Sequence, residues 1–143
     1  MKPSLIIIFS VLYIFNGFAI PDTANPASNQ MRIKIGSSTF TATLYNNATA
    51  TAFSGMLPMT IKMSELNGNE KYFDLSVDLP TNTSNPGKIQ GGDLMIYGSN
   101  TLVLFYNTFS TSYSYTRLGR INGTTGLGAA VDSGSVTVTY ELE

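Results

Sequence analysis

GGDLMIYGSNTLVLFYNTFSTSYSYTRLGRI, residues 91–121, holds the most apolar strand candidates of the chain and its densest run of tyrosines. Asp93–Tyr97 and Thr101–Tyr106 read as two strands joined by a turn at Gly98-Ser99-Asn100. The second, TLVLFY, is almost continuously apolar, and a strand with no polar face is one covered on both sides. Ser110–Tyr115 is polar and aromatic, and TRLGRI, residues 116–121, reads as a further strand.

On the N-terminal side, Met31–Gly36 and Thr39–Tyr45 alternate apolar and polar residues with period two, the mark of half-buried strands, and turn at Ser37-Ser38 as a hairpin. Asn46-Asn47 offers an N-cap for a short helix over Ala48–Leu57, ended by Pro58, whose stripe is Ala52, Phe53, Met56 and Leu57. Thr60–Leu66 and Lys71–Leu75 form strands on either side of Asn67-Gly68-Asn69, a turn whose residues tolerate positive φ. Pro80–Gly87 is a polar loop with two prolines, expected to be the most mobile segment. On the C-terminal side, Gly123–Ala130 holds at most a helical turn, and Val136–Leu142 closes the chain as a strand. About eight short strands with Gly/Asn turns and one or two short helices predict a mainly β protein, a closed barrel with helices plugging its ends.

The first residues carry a different message. Met1-Lys2 is a positive n-region, Leu5–Phe15 an apolar core far shorter than the roughly 20 residues of a spanning helix, and Gly17 and Ala19 are small residues suited to a cut after Ala19. The reading is a secretory signal peptide over residues 1–19, a flexible tether over 20–30 and one domain over 31–143, exported to the periplasm or beyond and without a stable membrane span once cleaved. Eight basic and nine acidic residues give a balance that directs the protein neither to nucleic acid nor to anionic membrane. With no cysteine and no histidine there is no thiol nucleophile, no imidazole base and no usual zinc ligand set. No metal and no cofactor is expected.

At Lys88–Leu94, KIQGGDL resembles the QGGD motif of the cyclophilins, and Leu118–Ile121 followed by Leu127–Val131 resembles their FGRV-plus-helix segment. The runs 57–75, 85–98 and 102–121 are similar to those of compact bacterial cyclophilin-like proteins. The resemblance implies an eight-stranded barrel related to the prolyl isomerases. It also exposes departures. Cyclophilins place an arginine shortly before the PG pair, where this chain has Thr83-Ser84-Asn85, and they have a histidine ahead of FGRV, where this chain has Tyr113–Thr116. Such an arginine would polarise the prolyl nitrogen and so weaken a bond whose rotation barrier is about 18–20 kcal/mol. No catalytic residue is therefore assigned.

The candidate ligand-binding residues are Gln90, which carries over from the motif, Phe109, Tyr113, Tyr115 and Arg117. Tyr113 and Tyr115 share a face in an extended segment, Arg117 continues it, and aromatic rings with hydroxyl tips suit a groove for an extended peptide or flat small molecule. Tyr106 joins the same aromatic cluster. Asp93 reads as a turn cap and Arg120 as half of a structural salt bridge, while Glu65, Glu70, Asp74 and Asp78 read as solvated surface. The expected function is a peptide- or small-ligand-binding module without efficient isomerase activity. The alternative is a weak peptidyl-prolyl isomerase assisting exported proteins, with Gln90 orienting the peptide and Arg117 replacing the lost arginine.

Overall fold

The computed structural model describes residues 29–132 and 134–143. Alternating sequence becomes eight antiparallel strands, each laying one side chain in two toward a shared interior: β1 (Gln30–Ile35), β2 (Ser38–Leu44), β3 (Met59–Leu66), β4 (Glu70–Asp74), β6 (Asp93–Tyr97), β7 (Thr101–Phe105), β9 (Thr116–Ile121) and β10 (Val136–Leu142). They close in the order β1-β10-β3-β4-β7-β6-β9-β2, which leaves no free edge. Two further strands, β5 (Lys88–Ile89) and β8 (Phe109–Ser110), pair with each other outside the barrel. The closed mainly β barrel matches the expectation from the sequence; the β5–β8 pair is additional.

Ile33, Leu94, Ile96, Leu102, Leu104 and Val138 fill the interior. Each such side chain is worth about 1.5–3 kcal/mol on leaving water. Helix α1 (Ala48–Ser54) begins where the Asn47 side chain accepts the Ala50 N–H at 2.8 Å. It drops Phe53 into the barrel core, edge-on to Tyr140 with ring centroids 5.9 Å apart. The helix ends at Ser54 rather than Leu57, because Met56 N–H turns back to the Phe53 carbonyl, yet Met56 and Leu57 still pack on the core. Helix α2 (Leu127–Ala130) contributes Leu127.

Two glycines permit close approaches that the barrel needs. A Cβ on Gly119 would lie 2.6 Å from the Thr43 carbonyl oxygen, where β9 meets β2. Gly92 has φ +98°, and a Cβ there would sit 2.7 Å from Thr124 Cγ2.

The Pro80–Gly87 loop is not free, contrary to its reading as a mobile segment. Asn82 N–H donates to Thr116 Oγ1 at 3.0 Å, Ser84 and Tyr115 exchange both backbone bonds at 2.9 Å, and Thr111 N–H donates to the Gly87 carbonyl. Strand β1 takes in Gln30, assigned to the tether, and its Nε2 donates to Thr43 Oγ1. The expected signal peptide lies outside the described residues.

Candidate functional site

The outer faces of β4, β7 and β6 are organised by register. Glu70, Tyr72 and Asp74 stand opposite Phe105, Val103 and Thr101, which in turn stand opposite Met95 and Tyr97 at the last two positions. Met95, Val103 and Phe105 make a second buried cluster with Ile89 and Tyr115, separate from the barrel interior. Residues 109–115 fold back over this face, pinned by the β5–β8 pair and by the Ser84–Tyr115 bridge. Tyr115 descends between them, only 4% exposed, with its ring perpendicular to Phe105 at 5.5 Å and tilted to Tyr97 at 5.6 Å. Tyr113 stands nearly perpendicular to Tyr97 at 6.2 Å and is 63% exposed.

What remains uncovered is a groove of about 340 Å³ between the β4 side and the Tyr97–Tyr113 wall. It adjoins a hollow of about 260 Å³ beneath Phe109–Ser112, and the two share Leu66, Asn67, Glu70, Tyr113 and Tyr115. Leu66, Tyr97 and Tyr113, three of the large apolar side chains that stay exposed, rim this opening.

The structure thus brings Phe109, Tyr113 and Tyr115 together and leaves Gln90 and Arg117 out. Gln90 Oε1 accepts a hydrogen bond from Arg120, whose Nη1 also pairs with Asp93 Oδ1 at 2.8 Å. Asp93 Oδ2 in turn accepts the Gln90 N–H at 2.8 Å. Asp93 is therefore a turn cap and Arg120 its salt-bridge partner, and the glutamine is tied into that cluster instead of facing the groove. Arg117 lines a different hollow of about 320 Å³ with Asn47, Thr49, Pro80, Asn82 and Ser84. The Ser84–Tyr115 bridge precedes it in the chain, and Asn47 Nδ2 donates to its carbonyl at 3.0 Å. Tyr106 also leaves the aromatic cluster: it follows Phe105 and so takes the opposite side of the chain, where its hydroxyl donates to Glu65 Oε1 at 2.7 Å under the Lys71 ammonium.

A cyclophilin-like family model matches residues 33–141. The chain belongs to the cyclophilin-like family. The solution structure of a hypothetical protein from Archaeoglobus fulgidus shares the fold at a TM-score of 0.57 and 17% identity, over 84% of this chain and 98% of that one. No curated protein matches the sequence.

In this cyclophilin-like chain Tyr72, Tyr97, Glu70 and Asp74 are groove residues that escaped the sequence reading. Their signal was present, since Glu70, Tyr72 and Asp74 alternate along β4 as Met95 and Tyr97 do along β6. Glu70 corrects the solvated-surface reading outright. It is 9% exposed, and among the described residues its carboxylate has no hydrogen-bond or ion-pair partner. Burial, and then the charge of Glu65, raises its pKa. Burial and then the charge of Glu70 likewise raise that of Tyr115.

Glu65 is only partly exposed and more open to solvent than Glu70, and its environment is opposite in kind. Lys71 Nζ and the Tyr106 hydroxyl both donate to its Oε1 at 2.7 Å, and the Gly68 N–H donates to its Oε2 at 2.6 Å. Partial burial pushes the Glu65 pKa up, yet these three donors outweigh it and hold the carboxyl below its ordinary value. The same carboxylate pushes Tyr106, already raised by desolvation, to about 12. Lys71, 1% exposed, also donates to the Gly134 carbonyl. Among the described residues no cluster of ligands suited to a metal ion occurs, and the groove is lined by no lysine or arginine.

Proposed function

We propose that this protein is an exported cyclophilin-like domain that binds an extended peptide or small ligand in the tyrosine-lined groove and does not isomerise prolyl bonds efficiently. One observation carries the reading: the outer face of β4, β7 and β6 is covered by residues 109–115 except over a groove rimmed by exposed Tyr97 and Tyr113. Large exposed aromatic side chains around a concavity favour a bound partner, because their apolar rings gain from leaving water while their hydroxyls remain free to hydrogen-bond. Efficient isomerisation would need a cation aimed at the prolyl nitrogen, and the groove lining contains no lysine or arginine. Arg117, the expected substitute, opens onto the other hollow.

A screen of blocked extended peptides and aromatic small molecules, followed by two-dimensional NMR, tests the binding reading. The Tyr97→Ala/Tyr113→Ala double variant is expected to weaken the best binder at least about tenfold. Unchanged affinity would move the site elsewhere. A protease-coupled assay on a proline-containing peptide is expected to give the uncatalysed rate at micromolar protein. A clear acceleration would restore the isomerase alternative. Export is tested by N-terminal sequencing of the secreted protein, expected to start at Ile20.

A further inference from the structure

Resting on that groove reading, we infer that the ligand enters with a positively charged organic group, an alkylammonium, seated against Glu70 and the surrounding tyrosines. A buried carboxylate without a partner loses hydration and gains nothing in return, so its persistence needs an explanation. Glu70 is 9% exposed, lines both the groove and the adjoining hollow, and no donor among the described residues reaches it. Its neighbour in sequence, Lys71, cannot serve. Period two sends that ammonium to the other side of β4, where Glu65 and the Gly134 carbonyl hold it.

The groove's other acid, Asp74, adds a second negative charge at the Thr101 end, and no basic side chain lines the space between. The walls suit a cation as well. Tyr97 is inclined at 76° to Tyr113 and at 59° to Tyr115, so these rings form a corner rather than a flat stack. Aromatic corners with a carboxylate attract an alkylammonium through ring quadrupoles and charge together, and the attraction strengthens as water is excluded. A neutral ligand of the same shape would leave the Glu70 charge stranded, which is how the site would discriminate.

The test separates charge from shape. Purified full-length protein is titrated by NMR with choline and its uncharged isostere dimethylbutanol, and with blocked tripeptides carrying a central lysine or norleucine. The charged member of at least one pair is expected to bind about tenfold or more tightly, and Glu70→Gln is expected to abolish that preference while Glu141→Gln, outside the groove on β10, keeps it. Whether choline or the lysine peptide shows the larger preference identifies a free organic cation or a cationic peptide as the source. Equal binding of charged and uncharged partners in both pairs, unaffected by Glu70→Gln, would overturn the cation inference and leave a neutral aromatic groove standing. Binding of no probe would overturn it too; the groove reading would then rest on the broader peptide and small-molecule screen alone.

Discussion

The two faces of β7 differ in how they are closed. Inward, Leu102 and Leu104 meet Leu94, Ile96 and the rest of the apolar interior enclosed by the barrel strands and the helix residue Phe53. Outward, Val103 and Phe105 meet Met95 and Tyr115, sealed only by a short segment folded back across them. The same five-residue strand therefore serves stability on one side and a site on the other. The barrel, with Phe53 of α1 and Leu127 of α2, buries its interior without help from the outer face, so that face is free to keep features that reduce stability, among them exposed tyrosines and an unpaired carboxylate.

The largest break in the comparison should come from the inner face. Leu104→Ala, opening a void among fully buried side chains, is expected to destabilise the fold by about 2–5 kcal/mol in urea unfolding, without altering groove affinity in the folded fraction. Next comes the Lys71–Glu65–Tyr106 cluster. Lys71→Met leaves the Glu65 carboxylate without its counter-ion and is expected to remove about 1–3 kcal/mol, discounted because Glu65 is partly exposed. The Glu65 pKa is depressed in the fold, so its contribution is present above the ordinary value of 4.5 and is lost as pH falls through the lower folded value. Acid titration of the variant should show a smaller loss over that range than the parent.

On the outer face the sign reverses. Glu70 has a raised pKa, so the fold favours its neutral form: that stability is full below 4.5 and is lost as pH rises through the folded value. Glu70→Gln is expected to stabilise the protein by about 0.5–2 kcal/mol at neutral pH, with the advantage vanishing in acid. A destabilising Gln variant would mean that Glu70 has a structural partner and is not held ready for a ligand. The smallest effect belongs to Tyr113→Ala, expected to change stability by less than about 0.5 kcal/mol while weakening groove ligands, since its ring is mostly in water.

The strands β6 and β7 and the closing strand β10 were legible because burial of one face or both writes itself directly into apolar periodicity. The two-residue strands β5 and β8 were not, because a strand that short has no period to read. The Pro80–Gly87 loop misled for a related reason: its composition is that of a free loop, and the partners that hold it, Thr116 and Tyr115, lie far along the chain. Gln90 looked available because its motif is a local one, while the arginine that engages it comes from β9.

Residues 91–121 determined by themselves that the chain would pair strands and bury TLVLFY on both sides, since alternation and apolarity are properties of neighbouring residues. Which tyrosines share a groove was decided only when the barrel closed. Strand pairing set Tyr72 and Tyr97 on either side of β7, brought Glu65 to the Tyr106 hydroxyl and left Arg117 on a hollow apart from Tyr115. It also turned Glu70, a polar residue on what reads as a solvent face, into a largely buried carboxylate lining the groove, because the segment covering it arrives from some forty residues downstream, at 109–115. Periodicity records whether a face is polar; what folds over that face is a property of the tertiary structure.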